Sequence, residues 1–101
     1  MASGAINNNI KITDTDKFSL SQLSWNTSSG GNGKYWTSIN LSDVNVSGTV
    51  LAVNILDFNS YLLDTHVVPY IGGSPNTEFR LLSNVNTFPS NSKLSFRVIW
   101  I

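Results

Sequence analysis

The chain has 101 residues, no cysteine, and six basic against six acidic residues, for a formal net charge of zero. That length holds one domain with one core; the missing cysteines exclude a disulfide framework or thiolate metal site, and the balanced charge excludes the basic excess that a nucleic-acid backbone attracts. Solubility must rest on neutral polar groups: Asn, Ser and Thr make up about a third of the residues, beside three Trp, three Tyr and five Phe, which is the composition of a β protein.

Residues 1–8 read as a leader or linker, and residues 9–101 as the domain. The opening lacks the basic start and long apolar core of a signal peptide. Met1 to Gly4 is either a cloning leader on a piece of a longer protein or a cytosolic start. No apolar run approaches the roughly 20 residues that span a bilayer, so no membrane insertion is expected.

Asn9 to Thr13 alternates Ile10 and Ile12 with polar residues and predicts a first strand, closed by a turn at Thr13–Lys17. Phe18 to Trp25 follows as a second, in which Phe18 and Leu20 share one phase and Leu23 and Trp25 another. The slip at Ser21–Gln22 predicts a β-bulge. Asn26 to Gly33 is a loop of Asn, Thr, Ser and Gly. Tyr35 to Leu41 resumes a strand with Tyr35, Thr37, Ile39 and Leu41 on its core face, and Ser42 to Gly48 turns again. Thr49 to Leu56 is nearly continuous in apolar residues and predicts a central strand covered on both faces.

Tyr61 to Ile71 predicts a bent or edge strand, because Pro69 cannot donate a ladder hydrogen bond. Gly72 to Asn76 is a turn, Glu78 to Leu82 a short strand, and Ser83 to Ser92 a loop. Lys93 to Ile101 is the last strand, with Leu94, Phe96, Val98 and Trp100 on one face and Lys93, Ser95, Arg97, Ile99 and Ile101 on the other. About seven short strands with almost no helix signal indicate an all-β fold, a single antiparallel β-sandwich or jelly-roll-like domain.

Little in this sequence supports catalysis. Asp64, Thr65 and His66 are adjacent, and on a strand Thr65 cannot point with its two neighbours. There is no nucleophile elbow, and the carboxylates fall mostly in turns, where Asp is ordinary turn chemistry. Thr13-Asp-Thr-Asp16 offers alternate carboxylates to a calcium ion but lacks the glycine and distal Glu of an EF-hand. Gly30-Gly-Asn-Gly33 does not have phosphate-loop spacing. No catalytic residue, metal ligand or cofactor is therefore expected.

The aromatic residues carry the functional expectation. Tyr35 and Trp36 must face opposite sides of their strand, and Tyr35 shares its face with Ile39 and Leu41. Trp36 then lies on the outer face beside Ser38 and Asn40, where an indole can stack on a sugar ring while Asn supplies hydrogen bonds. The alternative for Trp36 is packing against a second subunit or under the Gly-rich loop. Tyr61 and Tyr70 are further ligand-binding candidates. Arg80 and Arg97 sit on polar strand faces, where cross-strand pairing with Glu78 or another acid is their expected role.

Three segments, Gly48-Thr-Val-Leu-Ala-Val-Asn-Ile55, Phe79-Arg-Leu-Leu-Ser-Asn84 and Leu94-Ser-Phe-Arg-Val-Ile-Trp-Ile101, resemble the C-terminal receptor-binding domain of tailed-bacteriophage tail fibres. The resemblance spans about half of the chain and is one of style, without a diagnostic motif. It implies a homotrimeric β-sandwich at the fibre tip, made in the host cytoplasm and carried on the virion, that binds a bacterial surface glycan without catalysis. The alternative is a structural assembly or trimer-capping domain of a tail or capsid with no small-molecule ligand. The outward Ile99 and Ile101 are then an apolar patch for a neighbouring copy.

Overall fold

A computed structural model of the chain describes residues 9–27, 35–58 and 67–101. The described residues form eight strands: β1 (Lys11–Asp14), β2 (Phe18–Ser19), β3 (Asn26–Thr27), β4 (Tyr35–Asn40), β5 (Val50–Phe58), β6 (Val68–Tyr70), β7 (Glu78–Ser83) and β8 (Lys93–Trp100). They make two antiparallel sheets. In the first, β8 pairs with β1 and β2 end to end along one side and with β5 along the other. The second runs β3-β4-β7-β6.

Strand β8 joins the two layers. Leu94, Phe96 and Val98 are essentially inaccessible and Trp100 is nearly so, as the two-residue period requires of a strand with one face on the core. Phe96 meets Phe79 of β7 edge to face at a centroid distance of 5.5 Å, and Phe18 at 6.0 Å. Leu20, Ile39, Leu41 and Leu81 complete the space between the sheets. The chain is thus an all-β sandwich. Trp100 lies at one end of the core, where its indole N–H donates to the Thr13 hydroxyl at 2.9 Å and the Lys11 ammonium stands 4.9 Å from its ring centroid. Beyond Trp100, Ile101 and Thr49 exchange backbone hydrogen bonds of 3.0 and 2.8 Å. A Cβ on the preceding Gly48 would fall 2.3 Å from the Ile101 carbonyl oxygen, so this close approach needs glycine.

Three expectations about elements are corrected. Asn26 and Thr27, expected within a loop, form the short strand β3 against Trp36 and Tyr35. The phase slip near Ser21 is a single 3-10 turn, Leu20–Gln22, and not a bulge within one strand. That turn lets Leu20 become fully buried, and the Trp25 indole N–H caps its carbonyl at 3.0 Å while the ring packs on Phe88 at 5.2 Å. Strand β5 is also not a central strand covered on both faces. Among the described residues it pairs only with β8, and Leu51 and Leu56 are exposed. Register shifts between Val50 and Ala52 and between Ile55 and Asp57 explain why its sequence does not alternate: apolar side chains appear on both faces because the pairing slips twice. Pro69 lies in β6, the outer strand of its sheet, as a residue without an N–H donor must.

Because Phe96 touches both layers and has no exposed surface, Phe96→Ala should lower stability by about 3–5 kcal/mol. Urea unfolding followed by Trp fluorescence measures this, and a loss within the range of a surface substitution would show that the sandwich does not close on this ring.

Candidate functional site

The second sheet presents one mixed aromatic and polar face outward. In β7, Phe79 and Leu81 are buried, so Glu78, Arg80 and Leu82 point the other way. The register sets Ser38 and Tyr70 on either side of Arg80, Trp36 and Val68 on either side of Leu82, and Asn40 beside Glu78. Trp36, Ser38 and Arg80 are half-buried on this face, while Asn40 and Tyr70 are exposed.

Arg80 is its centre. The guanidinium carbon lies 4.4 Å from the Trp36 ring centroid, within cation–π range. Its Nε donates to Glu78 Oε2 at 2.8 Å, and the Ser38 hydroxyl donates to the same oxygen at 2.8 Å. These donors stabilise the carboxylate, Arg80 first and Ser38 second, and hold the Glu78 pKa below its ordinary value. Glu78, and after it Tyr70, raises that of Arg80. The β6–β7 turn closes over the group. Gly73 has φ +67°, and a Cβ there would lie 2.7 Å from an Arg80 nitrogen and 2.9 Å from Glu78 Oε2. Both the backbone angle and the space demand glycine.

Three of the four expected ligand-binding residues, Trp36, Asn40 and Tyr70, therefore share one face, and Tyr61 lies outside the described residues. His66, Asp64 and the Gly30–Gly33 segment lie outside them as well. Trp36 differs from the open platform that its neighbours Ser38 and Asn40 suggest, because Arg80 covers part of it. Sequence reasoning gave Arg80 and Glu78 only a cross-strand pairing role. They pair within one strand, two residues apart, and the spacing Glu78-Phe79-Arg80 around a buried Phe carried that signal. Arg97 does pair across strands, with both guanidinium–carboxylate contacts to Asp14 at 2.8 and 3.0 Å, and this lowers the Asp14 pKa.

Asp14 also borders a hollow of about 240 Å³ lined by residues 13–18 and 43–45. Among the described residues, no group of three His, Asp or Glu side chains is placed to hold a metal ion. Nor does any described helix have the length and apolarity to cross a membrane. Comparison with family models, curated proteins and solved structures finds no match.

Gly73→Ala should cost about 1–2 kcal/mol, the penalty of a left-handed conformation for an L residue, read as a lower urea midpoint. The lowered Glu78 pKa sets a pH dependence. A depressed folded value contributes stability that is present above the ordinary 4.5 and is lost as pH falls through the folded value. Melting curves of wild type and Glu78→Gln should therefore differ most near neutral pH and converge in acid. Asp14 titrates in both proteins and cancels from the difference, so a gap unchanged by acid would show that Arg80 and Ser38 do not stabilise this carboxylate.

Proposed function

We propose that this domain is a non-catalytic binding module of a bacteriophage tail, which recognises a bacterial cell-surface saccharide through the outer face of the β3-β4-β7-β6 sheet. One observation carries the reading: Trp36, Arg80, Glu78, Ser38, Asn40 and Tyr70 converge on an outward face where a core has no use for them. Saccharides are bound by aromatic surface for the apolar ring face and by fixed donors and acceptors for the hydroxyls. This face supplies both, with its polar groups already oriented by one another. The similarity of three segments to tail-fibre receptor-binding domains supports a place on the virion and a homotrimer. In a trimer, three weak sites act together and the effective concentration of the second and third contacts rises.

A second reading, a trimer-capping or assembly domain without a small-molecule ligand, is favoured by the outer face of the other sheet. There Ile12, Ile99 and Ala52 form one cross-strand row, with Ile12 at 62 % exposure and Ile99 and Ala52 half-buried; Ile101, exposed at 44 %, lies beyond it. A second copy of the chain is the occupant this reading assigns to that row.

Two substitutions separate the readings. Trp36→Ala should reduce binding to bacterial cells or their surface polysaccharide at least tenfold while leaving the solution mass unchanged; loss of assembly with binding intact would favour the second reading. Ile99→Asp should weaken the oligomer more than the fold. Light scattering should give about three times the 11.1 kDa chain mass for wild type and a smaller value for the variant, and a monomeric wild type would remove the trimer from both readings.

A further inference from the structure

We infer that the saccharide this face selects is uncharged, its hydroxyls bridging the Arg80 guanidinium and the Glu78 carboxylate, and that acidic sugars are refused. The inference rests on the reading of this face as the saccharide surface and names the ligand class it takes. Charge balance is its first ground. Among the described outward residues of β4, β6 and β7, Arg80 is the one cation and Glu78 the one anion, and they are in contact at 2.8 Å. A carboxylated sugar approaching Arg80 meets a guanidinium whose charge is already balanced, beside a second carboxylate that repels it. Only the Arg80 Nε is taken by Glu78, so an anion on the remaining N–H groups would sit beside the Glu78 carboxylate.

The second ground is the geometry of donors and acceptors. Both side chains are held: Trp36 lies under the guanidinium, Ser38 fixes the carboxylate, and the Gly73 backbone closes over the pair. A held guanidinium donates, and a held carboxylate accepts. A vicinal diol presents an oxygen to the first and a hydroxyl hydrogen to the second without disturbing either. A sugar carboxylate supplies only acceptors and leaves Glu78 facing an anion. The exposed Tyr70 flanks the pair on one side and the part of Trp36 that Arg80 leaves uncovered lies on the other, where the C–H face of a ring would lie.

The test uses the full chain and a matched set of glycan conjugates on one linker. Its neutral members are glucose, galactose, rhamnose and N-acetylglucosamine; its carboxylated members are glucuronic, galacturonic and sialic acid. The expected result is binding confined to neutral members, with little change between low and high salt, since no net charge is neutralised. Glu78→Gln removes the balancing charge and replaces the charged acceptor with a weaker amide oxygen and an NH2 donor. It should weaken the neutral interaction about tenfold and let acidic conjugates bind in a salt-sensitive way, with a melting curve at neutral pH confirming that the variant is folded. Wild-type preference for the acidic members, or equal binding of both sets, would overturn this inference and leave the saccharide reading standing. Binding of no conjugate by the wild type, with bacterial cells also unbound, would overturn both. Neutral binding that Glu78→Gln leaves unaltered would overturn the bridging role of the pair.

Discussion

The fold depends on one strand satisfying three partner strands and one core at once. Strand β8 is hydrogen-bonded to β1 and β2 on one side and β5 on the other, and its four alternate apolar side chains form the floor of the core. Thr15 extends this beyond β1: its amide donates to the Phe96 carbonyl, and its hydroxyl accepts from the Phe96 amide at 2.9 Å. Because pleating allows only two directions, burying Phe96 and Val98 sends Arg97 and Ile99 outward. The contact of Phe96 with Phe79 passes the same constraint to the second sheet. Once Phe79 and Leu81 point inward, Glu78 and Arg80 must point out, and pairing with β4 brings Trp36 beside them.

The two outward faces are chemically unlike. One sheet shows the row Ile12–Ile99–Ala52 followed by the row Asp14–Arg97–Asn54. Its ion pair is almost half exposed and is a weak contributor to stability. The other sheet shows aromatic rings and a more sheltered ion pair, held by a hydroxyl from a neighbouring strand and a glycine turn. A face built for contact with another copy needs apolar area; a face built for a hydroxylated ligand needs fixed donors and acceptors beside rings. The sandwich carries an apolar row on one side and rings beside fixed donors and acceptors on the other, so the two proposed roles need not compete for surface.

Periodicity made much of this legible. The alternation in 93–100 identified Leu94, Phe96, Val98 and Trp100 as buried but placed Ser95 outward, where the structure buries it; Thr37 and Ile39 are buried as expected, and Pro69 marked an edge strand from its missing N–H. Two features escaped for physical reasons. A 3-10 turn and a bulge shift the phase of a pattern alike, so Ser21–Gln22 could be read either way. In β5, two slips of register put apolar residues on both faces and imitated a strand covered twice. At the candidate site, Trp36 and Tyr70 were visible as outward aromatics. Their gathering around Arg80 was not, because the β4–β7 pairing joins residues about forty positions apart, such as Ser38 and Glu78, and no local spacing encodes it.

The central claim, that the β4-β7-β6 face is the binding surface, is tested most directly by a two-dimensional NMR titration of the labelled domain with polysaccharide from susceptible bacteria. Saturable shifts of the Trp36 indole N–H and the Arg80 Nε–H, with neighbouring amides of Ser38 and Tyr70, are the predicted result. Shifts confined to the Ile12–Ile99–Ala52 row or to the hollow between Thr13 and Asn45, with Trp36 and Arg80 unmoved, would contradict it.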